Sequence, residues 1–352
     1  MPHTLGPVSV PVVAAARRLA DAVLRPRAEE ADAKGVPRPH LVALAGAGLF
    51  GVTAPVEYGG SDQPTAVIRE IVEVLAGADA STWFVWTQHH TPVRTLVRGT
   101  NEELKQRWLP RLAAGSALAG VAFTHLRRPG DPALVATRAE GGWRFDGDLA
   151  WLTSYGLADV FLVGAVAGDD VVWSLVPLAK TQGVTAKPLD LLAMRGTSTV
   201  SVHLDSVAVA DDDVVIVEPL AEWRARDAER TADVSPAVFG ITDECIRRLP
   251  EAAGDAAAKL TTELDYLRGL AYAAQDEGGP RAERIALRAE AHALAVRASA
   301  ALVAAGAGRS MLAGNAAQRL AREALFLLVQ GQDAEVRAAQ LSVLSGPGAR
   351  GA

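Results

Sequence analysis

Apolar residues recur along this chain with two spacings, and the spacing changes twice. Residues 9–33 are rich in Ala and Arg with helical periodicity, and Gly35-Val-Pro37 ends that element. A second helix is predicted over about 39–47. Ile68, Ile71, Val72 and Leu75 mark the buried face of a third, and Ser81–Val97 forms another. Thr100-Asn-Glu-Glu103 reads as a capping box that opens a helix with Leu104, Trp108 and Leu112 on one face, closed by Gly115.

The period then shortens. Gly120-Val-Ala-Phe-Thr124 is a short apolar run; Ala133–Glu140 and Trp143–Phe145 read as strands joined by Gly141-Gly142; Trp151–Thr153 follows a second turn at Gly147. Strands continue over Val160–Val166, Asp170–Val176 and Val184–Leu189. The segment 196–205 alternates, with Val200, Val202 and Leu204 on one face. From about Pro219 helical spacing returns, and four helices are predicted over about 220–249, 253–276, 281–305 and 315–343. The short breaks between them imply antiparallel neighbours in a bundle. The pattern therefore divides the chain into a helical segment 1–116, a β segment 117–218, a helical segment 219–345 and a flexible Gly-rich tail 346–352.

Composition narrows the possibilities. The 352 residues are 49% hydrophobic and 22% charged, an ordinary globular balance with room for two or three cores. A net charge of −6 speaks against nucleic acid as a partner. The single cysteine, Cys245, rules out an internal disulfide and a cysteine-based zinc cluster, and is expected to be a buried or semi-buried helical thiol. No run has the length of a membrane span and no secretory pattern opens the chain, so a cytoplasmic protein without membrane insertion is expected.

Several apparent motifs are decoys. Gly46-Ala-Gly48-Leu-Phe-Gly51 matches a dinucleotide fingerprint, but a helix precedes it where a strand is required. His89 and His90 project about 100° apart on a helix and cannot share a metal; one is expected in an interhelical layer and the other at the surface. The aspartates at 211–213 lack further ligands. There is no Gly-x-Ser-x-Gly elbow, P-loop or His-Glu-x-x-His helix.

The stretch 117–159 carries the candidate chemistry. Thr124, Trp151 and Thr153 lie near the edges of consecutive strands, and an indole with two hydroxyls is the surface that a flat, polar-edged ring such as a flavin needs. The same residues also suit a core tryptophan and two strand-forming threonines.

Phe123-Thr124-His125-Leu126 and Trp151-Leu152-Thr153-Ser154 resemble the two flavin-contacting segments of the acyl-CoA dehydrogenase family, which usually read Thr-Glu-Pro followed by Gly-Ser-Asp, and Trp-Ile-Thr-Asn. His125 and Leu126 replace the Glu-Pro, and Arg127-Arg128-Pro129-Gly130-Asp131 stands where Gly-Ser-Asp would begin. Further likeness lies in Pro55-x-x-Tyr58-Gly59-Gly60, in Gly99-Thr-Asn-Glu-Glu-x-Lys105-x-x-Trp108-Leu-Pro110, in the Arg195-Gly-Thr-Ser-Thr strand and in Gly306-Ala-Gly308 with Arg319-Leu-Ala-Arg322-Glu323-Ala324. The resemblance implies an α+β fold with an N-terminal helical domain, a middle antiparallel β-domain and a C-terminal four-helix bundle.

It also implies FAD as cofactor, contacted by Phe123, Thr124, Trp151, Thr153 and Ser154. Arg195 is either a phosphate contact or a solvated turn residue. An acyl thioester carried by coenzyme A or a carrier protein would be the substrate, and a homodimer or homotetramer the assembly. Register from Arg319 and Arg322 puts Gln330 on the family's catalytic glutamate. A carboxamide cannot take up a proton as a carboxylate does, and general-base catalysis is worth about 10²–10⁴-fold. Some branches carry the base on the first C-terminal helix, where Glu229 lies within one residue of the position. The family's Arg-x-x-Phe-Gly segment is missing between Leu249 and Leu264. Three functions are thus implied: a dehydrogenase of the CH–CH group of an acyl thioester, an inactive or heteromeric partner subunit of the same fold, and a flavin-dependent monooxygenase. The monooxygenase branch tends to carry a His near position 330, which is absent here.

Overall fold

The computed structural model describes residues 10–346; the start of the first expected helix at residue 9 and the Gly-rich tail beyond Gly346 lie outside the described residues. Six helices come first: α1 (Pro11–Leu19), α2 (Ala28–Lys34), α3 (Arg38–Gly46), α4 (Thr65–Ala78), α5 (Ala80–Arg98) and α6 (Glu102–Ala113). The single helix expected over 9–33 is broken by a π turn at Ala20–Leu24 and a 3-10 turn at Arg25–Arg27. Pro26 lies in that second turn, and having no N–H it cannot continue the ladder. Asn101, not Thr100, caps α6, accepting the Leu104 N–H at 3.0 Å, so the expected capping box lies one residue early.

Eight strands follow: β1 (Ala119–Ala122), β2 (Leu134–Ala139), β3 (Gly142–Leu152), β4 (Val160–Ala167), β5 (Asp170–Val176), β6 (Val184–Pro188), β7 (Val200–Ala210) and β8 (Val214–Pro219). They form one sheet in the order β6-β7-β3-β2-β4-β5-β8, with β1 also paired to β4. Most pairings are antiparallel; β1 and β2 meet β4 in parallel. Two expected strands merge into β3, because Gly147 (φ +134°) makes a bulge rather than a turn. A Cβ there would lie 2.1 Å from the Ala133 carbonyl. The pattern does not predict β8; of its four apolar residues, Val214, Ile216 and Val217 pair with β5.

The C-terminal helices are α7 (Leu220–Ala232), α8 (Pro236–Arg247), α9 (Gly254–Asp276), α10 (Arg281–Ala305), α11 (Ala316–Val329) and α12 (Ala334–Ser345). Two of the four expected helices are each split. Pro236 starts α8 after the extended Asp233-Val-Ser, and Gly331 at φ +59° ends α11, after which Asp333 caps α12 by accepting the Val336 N–H at 2.8 Å. α10 is the central helix, in contact with α7, α8, α9, α11 and α12.

The N-terminal helices dock on the bundle where α4 crosses α8. Gly77 and Gly240 let the backbones approach: a Cβ on Gly240 would lie 2.1 Å from the Glu73 carbonyl, and one on Gly77 2.6 Å from the Gly240 carbonyl. His89 and His90 both turn inward from α5, toward β1 and the loop at Thr53, correcting the expectation that one is at the surface; both are buried. His89 Nδ1 accepts the Ala119 N–H at 3.2 Å and His90 Nδ1 pairs with Thr53 Oγ1 at 2.9 Å. The long α5 is packed against α4, α6 and β1, so it has no open face at that turn. Cys245 is buried, as expected. Among the described residues no three His, Cys, Asp or Glu side chains converge on a metal-sized site, and no helix is long and apolar enough to cross a membrane.

Two measurements check this packing. Gly240→Ala should lower stability by about 1–3 kcal/mol through overpacking, whereas Gly269→Ala in α9, where a Cβ meets nothing within 4 Å, should raise it by up to about 1 kcal/mol. Urea midpoints that move together in one direction would contradict the α4–α8 contact. Burial lowers His89 and His292 to about 3 and His125 to about 4. Their folded values lie below the ordinary 6.5, so the unfolded chain binds more protons in between and stability should rise from about pH 4 to about pH 6.5. Burial also lowers His90 well below its ordinary 6.5, which adds to the rise. Glu323, pushed up to about 7 by burial despite Arg319, and Glu73 and Asp243, raised by burial, work in the opposite sense above their ordinary values, so that four imidazoles act against three carboxyl groups. A urea midpoint that falls over that window would show that the imidazoles are not held neutral inside.

Candidate functional site

β1 ends in a 3-10 turn, Thr124–Arg127, which lies against β3. Each residue of that turn has a separate environment. Phe123 packs edge-on against Trp173 and Trp223, with ring centroids 6.4 and 5.7 Å away, and so belongs to a core. Thr124 is exposed. His125, where the family has Glu, is buried and donates from Nε2 to the Gly164 carbonyl at 2.7 Å, stitching the turn to β4. Burial outweighs that bond and keeps the ring neutral. Arg127 pairs in two places with Asp227 of α7, Nε to Oδ2 at 2.6 Å and Nη2 to Oδ1 at 3.0 Å. Arg224 of α7 adds a bond to the Leu126 carbonyl at 2.8 Å.

The end of β3 supplies the second half. Trp151 is 49% exposed, more than Trp143, the other indole on the strand, so its indole is not spent on the core. Thr153 and Ser154 are buried. Thr153 Oγ1 pairs with Thr199 Oγ1 at 3.0 Å, and Thr199 in turn with Thr197 at 2.7 Å, which locks the strand end to the turn after Arg195. Ser154 is left-handed (φ +69°), donates its N–H to the Thr197 carbonyl at 3.0 Å and leaves its Oγ without a partner. The chain is close to β1 here, for a Cβ on Gly120 would lie 3.4 Å from the Thr153 carbonyl.

Gln330 closes the site from the C-terminal side. It ends α11, and its carbonyl accepts from Arg288 Nη2 of α10 at 2.6 Å. Arg288 Nη1 bonds the Thr231 carbonyl at the end of α7 and the Gly331 carbonyl at 3.3 Å. A Cβ on Gly331 would lie 3.8 Å from Arg127 Nη1. The loop carrying Gln330 is thus brought to the turn carrying Thr124, through Arg127. Glu229 is elsewhere on α7: it is exposed, and its carboxylate pairs with Arg284 of α10.

Arg195 is exposed on a 3-10 turn and lines a separate cleft of ≈ 520 Å³ with Asp32, Asn315, Arg319 and Arg322. Arg319 and Arg322 are structural there. Arg319 Nη1 meets Glu323 at 2.8 Å, while Arg322 meets Asp32 at 2.7 Å and the Leu192 carbonyl at 2.9 Å. Asp227 and Arg288 carry the site's geometry, yet no period or motif singles them out in the sequence. Arg127 was visible only as a departure from Gly-Ser-Asp.

Residues 11–116 match the family described as acyl-CoA dehydrogenase, N-terminal domain. A probable acyl-CoA dehydrogenase of Mycobacterium tuberculosis is 29% identical over 210 residues, which is 57% of this chain and 54% of that protein. The match therefore spans about half the length of this curated relative. Among solved structures, a glutaryl-CoA dehydrogenase of Mycobacterium smegmatis in complex with FADH2 superposes with a TM-score of 0.79 at 20% identity, covering 96% of this chain and 95% of that one. A dibenzothiophene monooxygenase of Paenibacillus superposes with a TM-score of 0.75 at 19% identity, covering 95% and 97%. At such identities the likeness is one of fold.

Asp227 is the only carboxylate in direct contact with Arg127 among the described residues, and it is buried. Asp227→Asn should cost on the order of 3 kcal/mol, the penalty for leaving a half-buried guanidinium without its partner. A loss below about 0.5 kcal/mol in chemical denaturation would place the pair among surface contacts of little worth.

Proposed function

We propose, from the premise that this chain is a divergent member of the acyl-CoA dehydrogenase family, that it is a flavin-dependent oxidoreductase acting on the CH–CH group of an acyl thioester. Its carrier is coenzyme A or a carrier protein, and the working form is a cytoplasmic homo-oligomer. The observation that carries the proposal is the exposed Trp151 at the end of β3, a costly place to leave an indole unless a flat ring covers it. Thr124, exposed at the adjoining turn, offers a hydroxyl to the ring's edge. Thr153, its hydroxyl committed to Thr199, contributes backbone and shape, and Phe123 supports the turn from behind. Ser154 brings a buried hydroxyl without a partner.

FAD, when bound, supplies the hydride acceptor. The chain's own part is to orient the thioester and to manage the α-proton. Gln330 occupies the family's base position, but its carboxamide can hold the thioester only by hydrogen bonds. Glu229 could take up a proton only by giving up its pair with Arg284. Ordinary dehydrogenation by this chain alone should therefore be slow, by about the 10²–10⁴-fold that a general base contributes. Gln330 also favours a second reading, in which the chain is a partner subunit that binds flavin weakly or not at all and leaves the proton transfer to another chain. A monooxygenase has less support, since no His lies near Gln330 in the sequence.

The absorbance spectrum of the purified protein, before and after adding FAD, tests the proposal. About one flavin per chain is expected, with affinity lowered about tenfold by Trp151→Ala. Anaerobic bleaching by an acyl-CoA should follow slowly, and Gln330→Glu should hasten it. A chain that stays colourless in excess FAD would overturn the flavin reading and leave the partner subunit.

A further inference from the structure

Three buried threonines form a chain of hydroxyls at the end of β3, and the direction in which their protons point is fixed. Thr197 Oγ1 lies 2.8 Å from the Met194 carbonyl and 2.7 Å from Thr199 Oγ1, which in turn lies 3.0 Å from Thr153 Oγ1. A hydroxyl has one proton to give and two lone pairs to receive with, whereas a carbonyl only receives. Three contacts therefore share three protons, and one arrangement alone supplies each contact with a proton. Thr197 donates to Met194, Thr199 to Thr197 and Thr153 to Thr199. The Thr153 proton is thereby committed to the protein, and what its oxygen has left for a ligand is a lone pair.

Water has little access with which to reverse this order. Thr197 is fully buried, and Thr153 and Thr199 are 7% and 8% exposed. The turn that carries Thr197 and Thr199 is also held from two sides. A Cβ on Gly196 would lie 2.0 Å from the Ala31 carbonyl of α2, and the Gly196 carbonyl accepts the Val36 N–H at 2.9 Å. Toward the sheet, the Thr197 and Ser198 carbonyls accept the N–H groups of Ser154 and Tyr155 at 3.0 and 3.1 Å.

Backbone strain collects at the same place. Of the six non-glycine positions with positive φ among the described residues, three are Ser154, Met194 and Ser198. Each such conformation costs on the order of 1–3 kcal/mol and persists only where its surroundings over-determine it. Satisfying buried hydroxyls explains the bonds, but apolar side chains of the same shape would leave no hydroxyl to satisfy. Strain and polar chain are explained together if what they serve is the orientation of Thr153. That residue comes two positions after Trp151, the spacing that returns strand side chains to one face, and Trp151 is the exposed indole on which the flavin reading stands.

We infer that Thr197 and Thr199 are positioning residues that make Thr153 a hydrogen-bond acceptor toward the flavin, so that the site favours the reduced ring over the oxidised one. This rests on the reading of Trp151 and Thr153 as the surface that meets the ring. The ring nitrogen that takes up a hydride bears no hydrogen when oxidised and can only accept; once reduced it bears one and donates. An oxygen with only lone pairs to offer meets the oxidised edge as a repulsion and the reduced edge as a hydrogen bond. The hydroxyl chain therefore stabilises the form of the ring that hydride transfer produces.

Anaerobic binding titrations of the full chain with oxidised FAD and with dithionite-reduced FAD test this through the ratio of the two dissociation constants. The unaltered chain is expected to bind the reduced form about tenfold more tightly, the worth of roughly one hydrogen bond. Thr199→Val removes the acceptor of the Thr153 proton, and Thr197→Val lets Thr199 turn round and donate to Thr153. Each frees Thr153 to donate to the oxidised ring and should bring the ratio close to one. Thr199→Ser keeps the hydroxyl and should keep the ratio. A ratio that the valine variants leave unchanged overturns the inference. So does a ratio of one or less in the unaltered chain, a value that decides alone if neither valine variant folds. Binding of both forms with an unmoved ratio sinks only this inference, whereas binding of neither form sinks the flavin reading and the inference with it.

Discussion

Arg288 reaches from the middle of the bundle to the carbonyl ends of two other helices, and that one buried guanidinium decides where the candidate site lies. By bonding the Thr231 carbonyl at the end of α7 and the Gln330 carbonyl at the end of α11, it draws together segments about a hundred residues apart in sequence. Arg127 then joins the sheet to the same point through Asp227. Two positive groups thus form the hinge between the β-sheet and the bundle. Because a buried cation without a fixed geometry of acceptors is costly, the loop at Gln330 and Gly331 has little freedom to lie elsewhere.

The departures from the family pattern are electrostatically coherent. Where the family carries Glu-Pro, this chain has His125, held neutral and bonded to a strand carbonyl. The position of Gly-Ser-Asp begins instead with Arg127, and on the register proposed from Arg319 and Arg322 a carboxamide, Gln330, stands where the family pattern has a carboxylate. Each change removes negative charge from one region or adds positive charge to it. The hydrophobic surfaces that seat the turn, Phe123 against Trp173 and Trp223, are kept beside these departures.

Much of the architecture was legible because its signals are local. The change from helical to alternating period divided helices from strands, and Val200, Val202 and Leu204 are buried as their alternation required. What misled was local as well. Gly147 has the composition of a turn but the geometry of a bulge, because the neighbouring β2 backbone leaves no room for a side chain. Pro26, Pro236 and Gly331 broke three helices whose periodicity ran through them. His89 and His90 were assigned to different environments by their angular separation, but on a helix packed from several sides both directions lead inside.

Thr124, Trp151, Thr153 and Gln330 could be named from the sequence because motif spacing is a property of the chain alone, and so is the absence of a carboxylate at position 330. The tertiary structure decided which of these groups are open and which are spent: Trp151 and Thr124 are exposed, while Thr153 is tied to Thr199 and Glu229 to Arg284. It also brought Asp227 and Arg288 beside the turn of Thr124 and the loop of Gln330. Contacts between residues that far apart depend on how helices cross and where their ends fall, and nothing in linear spacing encodes the direction in which an arginine leaves its helix.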